Sequence, residues 1–202
     1  MQDNKTLNYI KAVLENMPTD WLNLTTHRLD IYNESLAKTQ FLDQFETLYK
    51  DHNSESSALK VLPTAYDYIR LGHPLSCVLE WGIANLNALD SENVISFSSQ
   101  TVPVLSILRH NLLHHKKTQI IYRDSLPKSF DADLIKRVYG YDFEVIETDN
   151  IDAILKFEGS TIFISEPENI STVEQNLNID FQINLYEQLG SVLIVNGEQN
   201  SN

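Results

Sequence analysis

Short apolar runs rich in β-branched and aromatic residues alternate, from Pro74 onward, with segments whose apolar residues recur at helical spacing. This alternation is typical of an α/β domain in which helices connect parallel strands. We therefore predict a mostly parallel sheet flanked by helices. We expect its ligand-binding residues just after the carboxyl ends of the strands, where parallel sheets bind their ligands.

The pattern predicts five helices and five strands in this domain. They are helices near 75–89, 102–115, 131–139, 150–156 (short) and 178–189, and strands at 93–97, 119–122, 143–146, 161–164 and 191–195.

A different pattern occupies residues 1–58, where apolar residues at helical spacing predict an N-terminal helical arm. The residues concerned are Leu7, Ile10, Val13 and Leu14, then Leu36, Phe41, Phe45 and Leu48. The polar stretch 51–57 predicts a linker. We therefore divide the chain into a helical arm at 1–58 and an α/β domain at 59–202.

The charge balance bears on partners and compartment. The chain has 28 Asp and Glu against 15 Lys and Arg, a formal net charge of −13. Such a surface repels nucleic acid and anionic membranes, so neither is expected as a partner. Cys77, the single cysteine, cannot form an intrachain disulfide, and its apolar context predicts a buried thiol. No run of about 20 apolar residues and no signal peptide is seen, so we expect a cytoplasmic protein.

The turn after the first predicted strand is the first candidate site. Ser98, Ser99, Gln100 and Thr101 lead from a strand into a helix. Small hydroxyl residues at such a turn can bind an anion at the helix N-terminus, or they can simply cap the helix. The sequence leaves both interpretations open.

Residues 66–76 read Tyr-Asp-Tyr-Ile-Arg-Leu-Gly-His-Pro-Leu-Ser, and a helical segment ending at Leu89 follows. This stretch resembles the Tyr-x-Arg-x-Gly/x-Asn-Pro-Thr motif of the pyridoxal-phosphate enzymes of cysteine and methionine metabolism, the cystathionine synthase and lyase family of fold type I. Four later segments follow in the family's order, so the resemblance spans residues 62–197. It implies a truncated large domain of that fold, lacking the usual C-terminal half.

The resemblance implies roles for several cofactor-binding residues. Tyr68 and Arg70 match residues that contact the cofactor phosphate of the neighbouring subunit, although they also suit an ordinary amphipathic loop. Ser98, Ser99 and Gln100 fall at the turn that cradles the phosphate, with Ser99 replacing a glycine. Asn169, in a Ser-Glu-Pro-Glu-Asn turn, matches the asparagine that reaches the cofactor's phenolic oxygen, or belongs to an ordinary turn.

The chain departs from the family at positions that matter for catalysis. Asn196 replaces the aspartate that pairs with the pyridine nitrogen, and Leu126 stands where a tyrosine stacks on the ring. The lysine of the Schiff base lies beyond residue 202 in the family. We expect no other lysine to replace it; the candidates are Lys116, Lys117, Lys128, Lys136 and Lys156. The isolated chain is therefore expected to have no catalytic residues and to bind no cofactor.

Three functions are compatible with the sequence. The first is a non-catalytic, degenerate relative of these enzymes that acts as a homo-oligomer or with a partner chain, because later strands and helices of the family are expected to be missing after 192–195, which leaves a sheet edge or an apolar face for a partner. The second is one half of a split C–S lyase or transsulfuration enzyme that binds pyridoxal phosphate only in a complex. The third is an anion or small-ligand module built on Ser98, Ser99 and Thr101.

One helix carries a further histidine motif. His110 and His114 lie four residues apart on the predicted helix 102–115, beside His115. This spacing suits a shared metal ion, but Arg109, Lys116 and Lys117 would repel a cation. We therefore predict a solvated polar face and no metal site.

Overall fold

The fold is that of a computed structural model, which describes residues 2–22, 34–63, 73–170, 172–174, 176–188 and 190–196. The chain forms two compact units, residues 1–92 and 93–202. Among the described residues the first unit has four α-helices: α1 (Gln2–Asn16), α2 (Glu34–Lys50), α3 (Ser56–Lys60) and α4 (Pro74–Leu86). Two helices, α5 (Val102–Leu113) and α6 (Ala132–Tyr139), and a six-stranded sheet lie in the second.

Aromatic side chains form the core of the first unit. The ring of Trp81 on α4 lies 5.1 Å from that of Phe45 and 4.9 Å from that of Tyr49, both on α2. Tyr9 and Val13 bring α1 into the same cluster. The predicted helical character of the arm is confirmed. Of the apolar residues that indicated it, Leu7 and Leu14 are exposed, because α1 packs through the neighbouring stripe of the helix.

The strands of the sheet are β1 (Val94–Phe97), β2 (Thr118–Tyr122), β3 (Phe143–Glu147), β4 (Ser160–Ser165), β5 (Phe181–Tyr186) and β6 (Gly190–Val195). Their order across the sheet is β1-β6-β5-β4-β2-β3. Strands β3, β2, β4 and β5 pair in parallel, whereas β6 is antiparallel to both β5 and β1. The α/β class is confirmed, and the mostly parallel sheet is corrected to a mixed one.

The helices of the second unit pack on one face of the sheet. Val104, Ile107 and Leu108 of α5 and Ile135 of α6 are buried with Ile120 and Ile162 of the sheet. Helix α6 begins where the Asp131 carboxylate accepts a hydrogen bond from the Leu134 amide at 2.9 Å, and it ends at Gly140 with a φ of +69°. Both ends match the usual cap chemistry.

The predicted helix 178–189 is wrong, because residues 181–186 form strand β5. Apolar and polar side chains alternate strictly from Phe181 to Leu185, a period of two that suits a strand. The predicted short helix at 150–156 is only a 3₁₀ turn at Ile151–Ala153.

The direction and position of β6 also correct the sequence analysis. Tyr186 pairs with Gly190, so three residues connect β5 to β6. Such a connection can make a hairpin, but it is too short for a parallel crossover. Since β1 and β5 flank β6, the strand at 192–195 is not itself at the side of the sheet. Among the described residues, β1 and β3 are the outer strands.

The described helices include none whose length and apolar character would let it cross a lipid bilayer.

Candidate functional site

Five strands of the sheet have their carboxyl ends at the same end of the sheet, which we call the shared edge. Strands β2, β3, β4 and β5 are parallel, and β1 runs the same way as β5 because both are antiparallel to β6. Ser98–Gln100 follow β1, Arg123 follows β2 and Glu166–Asn169 follow β4. The fold therefore brings three of the predicted turns to one edge of the sheet.

The turn after β1 is held by hydrogen bonds within the unit. The Ser99 hydroxyl accepts from the backbone amides of Thr101 and Val102, both at 3.3 Å. The Ser191 hydroxyl donates to the Ser99 carbonyl at 2.7 Å, and the Gln100 amide donates to the Tyr186 carbonyl at 3.2 Å. These contacts fit the capping interpretation, since two amides that an anion could use are already bonded to Ser99.

The turn after β4 is held at the shared edge by hydrogen bonds to its backbone carbonyls. Asn169 is exposed, and the Tyr186 hydroxyl donates to the carbonyls of Asn169 at 3.4 Å and Ile170 at 3.2 Å. Burial raises the pKa of Tyr186, and a hydrogen bond with Asn184 offsets part of that rise. Tyr186 is therefore a protonated donor at neutral pH that holds the turn against the sheet.

Asn196 lies at the end of the sheet opposite the shared edge, away from Ser98, Ser99 and Gln100. Its backbone amide donates to the Asp180 carbonyl at 2.9 Å, and its side-chain amide donates to the Ile179 carbonyl. Both carbonyls precede β5. Because β6 is antiparallel to β5, its carboxyl end is about 20 Å, the length of one strand, from the shared edge where the other candidate residues lie. The predicted grouping of Asn196 with them is wrong.

The remaining predicted positions are spread out. Tyr68 and Arg70 lie outside the described residues. Lys128 follows β2 at the shared edge, where its side chain is exposed and 3.6 Å from Glu187. The ammonium group of Lys136 instead lies 4.8 Å above the Phe143 ring. Leu126 packs against the main core of the sheet.

A buried polar network on the other face of the sheet was missed by the sequence analysis. The Gln182 side chain donates to the Asn184 side-chain carbonyl at 2.7 Å and accepts from the Glu174 amide at 2.9 Å. Asn184 donates to the Thr172 carbonyl at 2.7 Å. The neighbouring Ser165 hydroxyl is buried and has no hydrogen-bond partner among the described residues. The strict alternation of apolar and polar residues at 181–185 is the sequence feature that indicates these buried amides.

An ionic cluster also lies after β2 and β4. The Arg123 guanidinium is 2.8 Å from the Glu174 carboxylate and 3.7 Å from that of Asp124, and it lies 5.7 Å from the centre of the Phe163 ring. The Glu166 amide donates to Asp124 at 3.3 Å, and the Ser125 hydroxyl donates to Glu166. These bonds tie the two loops together and neutralise Arg123.

A groove opens beside the outer strand β3. Its volume is about 260 Å³, and it lies over the face of β2 and β3 that carries Ile121, Ile146 and Thr148. Residues 153–157 form its other wall. Ile146 and Leu155 are 41% and 80% exposed, respectively, which leaves aliphatic surface in contact with solvent. We call this feature the β3 groove.

Acidic side chains are frequent on β3 and in the residues beside it in the chain. Asp142, Glu144, Glu147, Asp149 and Asp152 are all exposed. None of these five carboxylates forms an ion pair with another described residue. Glu147 accepts a hydrogen bond from the Tyr122 hydroxyl at 3.2 Å. Lys156 is the basic residue of the groove lining.

The histidine pair at the C-terminal end of α5 has no third metal ligand in the described part of the chain. The rings of His110 and His114 lie 4.2 Å apart, and Nδ1 of His114 is 2.8 Å from the His110 carbonyl. Burial, then the neighbouring His114 and Lys116, lower the pKa of His110. Among the described residues, no three His, Cys, Asp or Glu side chains are grouped to hold a metal ion.

Comparison of the chain with protein-family models, curated proteins and solved structures finds no match.

Proposed function

We propose that this chain acts by association, with a second copy of itself or with a partner chain, and that it is a non-catalytic relative of the pyridoxal-phosphate enzymes that its sequence resembles. The observation that carries the proposal is the outer edge of β3 with its groove. There, the outer side of β3, which has no partner strand among the described residues, lies together with exposed aliphatic side chains. Edges of this kind are the usual positions for strand addition.

The contacts of the predicted cofactor residues support the non-catalytic part of the proposal. Ser99 and Gln100 use their side chains to hold the turn after β1, and Asn196 bonds to backbone at the opposite edge. A cofactor at the shared edge could not contact Asn196 without a rearrangement of the sheet. The proposal also places the protein in the cytoplasm, where a buried Cys77 thiol is stable in its reduced form.

Two measurements on the full chain test this proposal. Light scattering after size-exclusion chromatography, at several protein concentrations, gives the mass of the species in solution. An absorbance titration with pyridoxal phosphate, followed by borohydride treatment, detects any Schiff base. We expect no aldimine band and either a mass above that of one chain or binding of the peptide probes described below.

Two results would contradict the proposal. A saturable aldimine band that borohydride traps on one lysine would overturn the non-catalytic assignment. A chain that stays monomeric at every concentration and binds none of the probes would overturn the association. A band that forms only after a second protein is added would instead support the split-enzyme alternative.

A further inference from the structure

We propose that the outer edge of β3 binds an extended, basic segment of another protein, which adds to the sheet as a seventh strand. This inference rests on the proposed function and specifies the chemistry of the partner. The other possible occupant, a second copy of this chain, is an outcome of the test.

The outer side of β3 presents backbone hydrogen-bonding groups. Strand β3 pairs with β2 over Phe143–Glu147, and no described strand pairs with its other side. Alternate amide and carbonyl groups of β3 therefore face outward, where an extended segment can bond to them in register. Such main-chain bonds supply affinity but little selectivity.

The groove provides the selectivity for apolar side chains. Side chains of an added strand alternate between the two faces of the sheet, so every second one would lie on the face that carries Ile146 and Thr148. On that face Ile121 and Ile154 form an apolar floor. A β-branched residue such as valine or isoleucine would cover the exposed part of Ile146 there.

The carboxylates on and beside β3 favour a positively charged partner. Glu147 lies on the face opposite the groove, Glu144 lies on the same face as Ile146, and Asp142 and Asp149 flank the strand at its two ends. Lysine or arginine side chains of the added strand would neutralise this surface. A second copy would instead bring its own acidic strand against the first, and like charges across strands are destabilising. Charge complementarity therefore favours a basic partner.

The test uses short synthetic peptides as probes. The main probe is a fluorescein-labelled peptide, Lys-Val-Lys-Val-Lys-Val-Lys, and its binding to the full chain is followed by fluorescence anisotropy. A Glu-Val peptide of the same length is the charge control. Two further Lys-Val peptides carry N-methyl groups on odd or on even residues, which removes one row of backbone donors from each.

The structure predicts a specific pattern of binding. The Lys-Val peptide should bind, and its affinity should fall with added salt. The Glu-Val peptide should not bind. One N-methylated peptide should lose binding and the other should retain it, because only one row of amides faces β3.

Two variants locate the binding surface. Ile146→Asp should weaken binding at least about tenfold by placing a charge in the groove, and Glu147→Lys should weaken it by about tenfold through repulsion. Glu168→Lys makes the same charge change at an exposed position in the turn after β4 and should leave binding unchanged. Circular dichroism and thermal unfolding confirm that each variant folds.

Three results would overturn this inference while leaving association possible. They are equal binding of the Glu-Val peptide, equal loss from both N-methylated peptides, and unchanged binding by Ile146→Asp and Glu147→Lys when both are folded. A dimer of the chain that Ile146→Asp dissociates would assign the edge to a second copy. Failure of every probe with a monomeric chain would overturn the inference and the proposed function together.

Discussion

Gln182 and Asn184 are amide side chains at 1% and 0% exposure in the middle of the sheet. Their burial is tolerated because each makes hydrogen bonds there. Gln182 bonds to Asn184 and to the backbone of Glu174, and Asn184 bonds to the backbone of Thr172. The pair thereby fixes residues 172–174, which lie between β4 and β5 without regular secondary structure, against one face of the sheet.

Replacing Gln182 should therefore destabilise the second unit. Gln182→Leu removes the acceptor of the Glu174 amide and a donor to Asn184, and we expect the free energy of unfolding to fall by about 1–3 kcal/mol. Urea unfolding followed by circular dichroism measures this change. Gln188→Leu makes the same substitution at an exposed position and should change stability by less than about 0.5 kcal/mol. Equal effects from the two variants would contradict the structural role of the network.

Cys77 provides a second prediction for a single residue. Burial, with a smaller effect from the Glu80 carboxylate, raises the pKa of the Cys77 thiol to about 12, and Lys38 lowers it in part. The reference value is 9.0, so the thiolate fraction of the folded chain near pH 8 is lower by about a thousandfold. We expect a disulfide reagent to modify Cys77 in guanidinium at least a thousandfold faster than in the folded chain.

The same shift gives a direction for pH dependence. Because the folded pKa of Cys77 lies above the unfolded value, the folded state retains the proton over the interval from about 9 to about 12. Its contribution to stability is complete below that interval and is lost as pH rises through it. Cys77→Ser should flatten this part of the stability curve. Rapid modification of folded Cys77 at pH 8 would contradict both expectations.

Strand β5 shows why one element was predicted wrongly. In α/β domains a helix usually connects parallel strands, so the sequence analysis assigned one before the last strand. In this fold the connection from β4 to β5 has no described helix, and the residues assigned to it form the strand. The alternation from Phe181 to Leu185 indicated a strand, but Gln182 and Asn184 gave it polar residues that a central strand seldom carries.

The sequence could predict which candidate residues lie together only where it predicted the strand directions correctly. Ser98, Ser99, Gln100 and Asn169 do lie at one edge, as the carboxyl ends of parallel strands predict. Asn196 does not, because β6 is antiparallel. The direction of β6 follows from the short connection between β5 and β6. The sequence does not show that this connection is short if 178–189 is interpreted as a helix.

Two glycines at element ends allow a matched comparison. Both Gly140, after α6, and Gly190, at the start of β6, have positive φ angles, +69° and +88°. A Cβ at Gly190 would lie 2.1 Å from the Phe97 carbonyl oxygen, whereas a Cβ at Gly140 would have no neighbour within 4 Å.

Gly190→Ala should therefore cost more than Gly140→Ala. We expect the free energy of unfolding to fall by about 1 kcal/mol for Gly140→Ala, from backbone strain alone. For Gly190→Ala we expect a fall of at least about 2 kcal/mol, since β1 and β6 must also separate. Chemical denaturation of the two variants measures the difference. Equal losses would show that the close approach of β1 to Gly190 carries no cost.

At the scale of the whole molecule, the net charge of −13 constrains association more than any single contact. Partners with a polyanionic surface are repelled, and the acidic residues around β3 concentrate this effect at the proposed docking edge.

The charge predicts that the full chain does not bind duplex DNA. At about 0.15 M salt we expect no change in the anisotropy of a labelled duplex, because repulsion from phosphates is not offset by a basic surface. The Lys-Val peptide measured under the same conditions serves as the positive control. DNA binding that weakens steeply with salt would reveal a basic surface that the sequence composition does not predict.

The pairing of β1 with β6 joins residues that are far apart in the chain, with Val94 opposite Ile194. In the order of the sheet β6 lies between β1 and β5, so β1 is joined to the other strands through β6. On the ribosome, β2, β3 and β4 can assemble before β6 has been made. Completion of this sheet is thus a late event of synthesis, and in a nascent chain arrested before β6 emerges β1 would stay separate from the other strands.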